Sequence, residues 1–164
     1  VYVARVMKVE DSQPQQAILS LLAGLLNAGH VAGVLIPAGD AQGDGLRLAR
    51  TRDEFGDYDP LSPRMFANAA CRIPQALPSG EKPVAIALHP CETRTLIEMA
   101  KRGAVDRARL LVLGMDCGFA SGGTPREEPI GTDALRAQAL ACASAGLPAP
   151  AEARMACRLC ERPA

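Results

Sequence analysis

The sequence contains no Trp, and Phe and Tyr together make up only 3% of its 164 residues. Stacking platforms for single-stranded bases therefore have almost nothing to be built from. Charge of one sign is missing too: Lys+Arg and Asp+Glu both number 18, so the formal net charge is zero. That balance excludes a basic nucleic-acid arm, an acidic tail and a disordered chain. Long apolar runs are absent, because the stretches 18–26 and 31–37 fall short of a bilayer span and are parted by Asn27 and His30. Neither nucleic acid nor membrane is expected as a partner. No basic, then apolar, then small-residue leader opens the chain, which begins Val1-Tyr2-Val3 without Met. The expected location is cytoplasmic, and the chain reads as a segment of something longer.

Apolar residues make up 48% of the chain, enough for one core at this length. The expected organisation is a single α/β domain over 1–164, with 146–164 a C-terminal cysteine-bearing segment. Residues 1–9 alternate raggedly, as a strand would. Ser12 and Gln15 have capping-box spacing, with Pro14 in the first turn. Ile18, Leu21, Leu22, Leu25 and Leu26 then form one helical face that stops at Gly29. Residues 31–37 read as a buried strand, 46–50 as a short alternating one, and 53–63 as an acidic loop in which little chemistry is visible. A short helix is expected over 65–70, broken afterwards by Pro74 and Pro78. Residues 83–88 and 110–115 read as strands covered on both faces, joined by a helix that Pro90 opens and Gly103 ends. A βαβ unit of this kind implies parallel strands, and a further helix is expected from Asp133 to Ser144. The fold class is therefore α/β: an open, mostly parallel sheet with flanking helices and cysteines at strand carboxyl ends.

Six cysteines are present, and in a chain with no sign of secretion they point to metal or redox use rather than disulfides. Cys91 falls just past the strand at 83–88 and Cys117 just past the strand at 110–115. Ligands of parallel sheets gather outside the carboxyl ends of the strands, and neighbouring strands lie roughly 5 Å apart. The two sulfurs should open onto one crevice. Cys91 also lies in the first turn of its helix, where free N–H groups favour a thiolate. Cys157 and Cys160 are spaced to chelate one centre, which completes the pattern C-x25-C-x39-C-x2-C. Four such thiolates suit structural zinc or an iron–sulfur cluster, and for a cluster the sulfurs should lie within about 7 Å of one another. Cys142 reads as core, Cys71 as core, His89 as a hydrogen-bonded structural histidine and His30 as a helix C-terminal residue.

Residues 82–102, KPVAIALHPCETRTLIEMAKR, resemble a segment of the beta-subunit family of coenzyme F420-reducing hydrogenases and formate dehydrogenases. In that family a strand runs into an R-P-C-E-x-R-A-L-x-E-L-x-K helix; Pro90, Cys91, Glu92, Arg94, Leu96, Glu98 and Lys101 match it. Asp116 and Cys117 resemble the family's Asp-Cys-x-Gly strand end. RMACRLCERP at 154–163 resembles its R-x-A-C-x-x-C-E-x-P element. The three elements fall within residues 82–163, about half the chain. The sequence departs from the family where His89 replaces Arg and around Ala120, where Gly-Thr would follow.

The resemblance implies an electron-transfer subunit with a 4Fe-4S cluster on Cys91, Cys117, Cys157 and Cys160, and FAD. It also implies two partners, the catalytic subunit of a hydrogenase or formate dehydrogenase-like complex and a deazaflavin-type acceptor. Gln15 and Gln16, in the first turn of the first helix, and Arg94, one turn from Cys91, are the candidate cofactor contacts; Lys101 is expected to be a solvated end charge. Arg154, Arg158 and Arg162 mark a docking edge for an acidic partner. The readings left open are a zinc- or cluster-stabilised scaffold that docks a redox complex, and a thiol–disulfide protein using Cys157 and Cys160.

Overall fold

The computed structural model describes residues 13–38, 45–62, 65, 67–115, 117, 120, 132–145, 149 and 153–160. The strand expected over 1–9 and most of the turn over 38–45 lie outside the described residues. Four strands form one sheet in the order β2-β1-β3-β4, with β1 at Val34–Pro37, β2 at Leu46–Ala49, β3 at Val84–Leu88 and β4 at Leu110–Gly114. β1, β3 and β4 are parallel, and β2 runs antiparallel to β1. The fold is the open, mostly parallel α/β sheet that the chain order implies.

Side chains alternate across this sheet, so each strand serves two cores. Val34 and Ile36 of β1 and Ala85 and Ala87 of β3 pack on one face with Ile18, Leu19 and Leu22 of helix α1 (Pro14–Asn27). Leu35, Val84, Ile86 and Leu88 pack on the other with Leu96 of helix α3 (Pro90–Lys101) and Ile73 of helix α2 (Ile73–Ala76). Every residue of β3 is buried, whereas β4 is only half-buried and ends exposed. The expectation of two fully covered strands therefore holds for β3 alone, because β4 pairs on one side only among the described residues.

Other boundaries differ for local reasons. α1 starts with Gln13 at the N-cap and Pro14 at the first helical position, and no side chain caps it. Ser12, the expected cap, lies outside the described residues, and the fixed φ of Pro14 suits the first turn. The chain leaves α1 through Gly29, whose φ of 68° is a left-handed conformation that glycine adopts without penalty. Pro74 does not break a helix but sits in the first turn of α2, which follows a 3-10 turn at Ala69–Arg72. The last helix, α5, is one turn at Met155–Arg158, after α4 at Thr132–Ala145. Among the described residues no helix is long and apolar enough to cross a membrane.

Gly33 enters β1 where the edge strand β2 comes closest. A Cβ there would stand 2.6 Å from Cδ1 of Leu48 and 2.9 Å from the carbonyl oxygen of Ala49. The second contact is backbone, which cannot swing aside. Gly33→Ala is expected to destabilise the fold by about 1–3 kcal/mol, read as a lower urea midpoint, and an unchanged midpoint would show that β2 yields at no cost.

Candidate functional site

Two features meet at the carboxyl ends of the parallel strands. The first is the cysteine group. α3 begins directly after β3, so Cys91 occupies its first turn, while Cys117 stands three residues past the end of β4. The β3–β4 ladder reaches one residue further, through Met115 N–H donating to Leu88 O at 3.1 Å. The C-terminal segment is pinned beside it, where Arg154 N–H donates to Ala120 O at 2.8 Å and Ala120 N–H donates to Cys157 Sγ at 3.4 Å. Arg94 Nη2 lies 3.9 Å from Cys160 Sγ. Residues far apart in sequence thus converge on one edge.

Electrostatics ties the four thiols together. Burial, then the charges of Cys157, Cys91 and Cys160, and last that of Glu92, push the Cys117 thiol up to about 12. Cys91 is exposed as a residue, yet partial enclosure of its sulfur and the Glu92 carboxylate raise its thiol pKa, with Cys157 adding to the effect. The thiolate expected from the first turn of α3 is therefore not favoured in the free protein, because desolvation outweighs the helix N–H groups. All six cysteines are free thiols. Among the described residues no three Cys, His, Asp or Glu side chains are gathered so as to hold a single metal ion.

Cys142 is buried in a small core with Leu135 and Ala153, as its place on α4 suggests. Cys71 is exposed, contrary to the core reading, because the 3-10 turn that carries it presents Ala70 rather than Cys71 to the interior. His30 follows α1 and is exposed.

The second feature is a cavity of about 740 Å³. Its apolar wall is Leu35, Ile86, Ala87, Phe55 and Met115, and its polar groups include Tyr58, His89, Glu92, Arg47 and Arg72. The chain leaves β1 toward β2 on one side of the sheet and leaves β3 through α3 toward β4 on the other. The cavity lies at that reversal, the place where open α/β sheets bind ligands. Gln15 and Gln16 occupy the first turn of α1 and do not line it; neither does Arg94.

Glu92 joins the two features. It is 5% exposed, the one buried charged side chain among the described residues. Oε2 accepts from His89 N–H at 3.0 Å and Oε1 from Ala69 N–H at 2.9 Å. Its charge raises the pKa values of Cys91, Cys117 and Tyr58 and opposes the lowering that burial imposes on His89. Asn68, whose Nδ2 donates to Thr95 Oγ1 at 2.9 Å, fastens the same segment to α3. In the sequence Glu92 stands out only as a motif match, and residues 53–63, which supply Phe55 and Tyr58 to the cavity, show little chemistry.

His89 also differs from expectation. Its side chain faces the first turn of α3 toward the N–H of Glu92, but Nδ1 is buried without completing a hydrogen bond. At the far end of α3, Lys101 pairs with Glu98 at 2.7 Å, both largely exposed, a contact of small energetic weight.

Tyr58 supplies a measurable marker of the cavity. Burial first, then Glu92 and Asp59, raise its pKa above the ordinary 10.0. Below that value the phenol is neutral in both folded and unfolded chains. Above it the unfolded chain ionises first, so native stability should fall as pH rises past 10.0. In a Tyr2→Phe background, tyrosinate absorbance should appear together with unfolding, and ionisation near pH 10.0 with the fold intact would contradict the enclosure of Tyr58.

Comparison with models of known protein families gives no match, and no curated protein matches the chain.

Proposed function

We propose that the chain is an electron-transfer subunit of an oxidoreductase, in which Cys91, Cys117, Cys157 and Cys160 hold a 4Fe-4S cluster and the neighbouring cavity takes the ring of FAD. The partners in this reading are the catalytic subunit of a hydrogenase or formate dehydrogenase-like complex, which delivers electrons, and a deazaflavin-type acceptor, which removes them. The observation that supports it is that the segment carrying Cys157 and Cys160 lies against Ala120 and against Arg94 of the helix whose first turn carries Cys91. Cys91 and Cys117 stand singly after neighbouring parallel strands rather than in a paired knuckle, which favours a cluster over structural zinc.

The cluster and flavin would supply one-electron and two-electron redox chemistry when bound. The chain's own residues position them. Arg94, beside Cys160, places a cation where a thiolate-bound centre concentrates negative charge. Glu92 fixes the turn between β3 and α3 by accepting from His89 N–H, ties it to the 3-10 turn by accepting from Ala69 N–H, and so sets the place of Cys91 relative to the cavity. Met155 and Leu159 are 65% and 74% exposed beside Cys157 and Cys160. With Arg158 they give the edge near the cluster an apolar and basic character suited to an acidic donor protein.

The test is turnover with defined donors. Loaded with cluster and FAD, the chain should pass electrons from an artificial low-potential reductant to a deazaflavin, and should oxidise neither hydrogen nor formate without a partner. Oxidation of either by the chain alone would overturn the reading, as would failure with the artificial reductant at full loading.

A further inference from the structure

A short hydrogen-bonded relay joins the cavity wall to the helix turn that carries Cys91. The segment 67–72 supplies Ala67, Ala69 and Arg72 to the lining. Within it Asn68, at the N-cap of the 3-10 turn, accepts from Ala70 N–H at 3.1 Å through Oδ1. That bond fixes the amide, because the opposite orientation would set Nδ2 against an N–H. Nδ2 therefore points to α3, where it donates to Thr95 Oγ1 at 2.9 Å. A hydroxyl carries one proton, and with the oxygen accepting from Asn68 that proton goes to the carbonyl of Cys91, 3.0 Å away. The relay thus runs in one direction, from the N–H of Ala70 to Cys91.

Helix stability does not account for Thr95. Alanine is the better helix former, and a threonine hydroxyl that bonds back to the carbonyl four residues earlier slightly weakens a helix. The motif that residues 90–101 resemble has Ala at this place. What the hydroxyl adds is a partner 27 residues away in sequence. The bond from Ala69 N–H to Glu92 Oε1, at 2.9 Å, crosses the same junction. The 3-10 turn and the start of α3 are therefore held together at two points, one through Glu92 and one through the Asn68–Thr95 pair.

We propose that Asn68 and Thr95 are positioning residues, which lock the cavity wall at 67–72 to the carbonyl of Cys91 and so hold that cysteine at a set place relative to the cavity. The purpose of that placement, a fixed relation between a cluster on Cys91 and whatever the cavity holds, rests on the electron-transfer reading. The lock itself rests on the hydrogen bonds alone. It is particular to this chain, since Ala at position 95 could accept nothing from Asn68.

The experiment compares Thr95→Val, Thr95→Ser and Asn68→Ala in the full chain, with circular dichroism to check folding. In reconstituted protein, Thr95→Val should shift the electron paramagnetic resonance of the reduced cluster and speed the loss of iron to a chelator about fivefold, the weight of one hydrogen bond. Thr95→Ser keeps the hydroxyl and should restore both. Asn68→Ala, which also loses the cap of the 3-10 turn, should change both at least as much, and adding Thr95→Val to it should change little more, because the two side chains act as one unit. If the valine variant does not fold, Thr95→Ala, the better helix former, takes its place. The metal-free chain gives an independent arm, in which mass spectrometry follows iodoacetamide on Cys91; the reaction should be several times faster in Thr95→Val than in wild type or Thr95→Ser. Where the wild-type chain assembles its cluster, an unchanged resonance and unchanged iron loss in folded Thr95→Val would overturn this inference and leave the cluster reading standing, as would a serine variant that behaves like the valine one. Where the wild-type chain assembles none, the cluster reading falls and the alkylation arm decides this inference, with equal rates in all variants overturning it.

Discussion

Replacing Cys117 by Ser is expected to reduce the iron and sulfide content of anaerobically reconstituted protein to background, while Cys71→Ser leaves it unchanged. Cys91, Cys157 and Cys160 all raise the Cys117 thiol pKa, so in the proposed reading its loss removes the ligand between the strand end and the C-terminal segment. Cys71 is exposed on a separate turn and serves as the control. The same site gives a pH dependence. Burial and neighbouring charges hold Cys91 and Cys117 above their ordinary thiol values, so both are protonated near neutrality in the free protein. Coordination must drive those protons off. Metal uptake should therefore release protons and strengthen as pH rises. Uptake independent of pH, or full cluster content in Cys117→Ser, would remove Cys117 from the ligand set.

Glu92→Ala is expected to produce the largest loss of stability of any single polar substitution among the described residues. The carboxylate is buried and satisfies two backbone N–H groups, those of His89 and Ala69, the latter 23 residues away in sequence. Each orphaned buried donor costs about 1–3 kcal/mol, so the alanine variant should lose about 2–6 kcal/mol, measured as the urea midpoint at constant m-value. Glu92→Gln keeps one acceptor oxygen and should lose about half as much. The glutamine variant also removes a negative charge that raises the thiol pKa values of Cys91 and Cys117, so alkylation of these thiols should accelerate at neutral pH. Stability equal to wild type in Glu92→Ala would mean that water or a rearranged turn replaces both bonds.

The strands and the two long helices that frame the site are legible because their patterns are local. Residues 84–88 are apolar on both faces, and the structure gives them two cores; α1 and α3 follow from 3.6-residue periodicity and from Gly29 and Gly103, both at positive φ. The start of α1 is less legible, since the cap position falls on Gln13, with Pro14 following it and no side-chain cap. Residues 53–62 and 67–72 are less legible: the former carry no periodic signal, and where a short helix is expected over 65–70 the structure has a 3-10 turn at Ala69–Arg72. Their order comes from partners distant in sequence: Ala69 bonds Glu92, Asn68 bonds Thr95, and Phe55 is buried against the sheet. The cavity leaves no mark on the sequence for the same reason, as its lining is drawn from several separate segments. The places of Cys91 just after β3 and of Cys117 just after β4 follow from the strand pattern, whereas their joining with Cys157 and Cys160 in one centre is the proposal itself.

The central claim is that Cys91, Cys117, Cys157 and Cys160 hold one iron–sulfur cluster. Its most direct test is iron and acid-labile sulfide analysis of the anaerobically reconstituted chain, with low-temperature electron paramagnetic resonance after reduction. The account predicts about four iron and four sulfide per chain, with the signal of a reduced cluster, and their loss on substitution of any of the four cysteines. One zinc per chain without sulfide, or a disulfide between Cys157 and Cys160 with no bound metal, would contradict it.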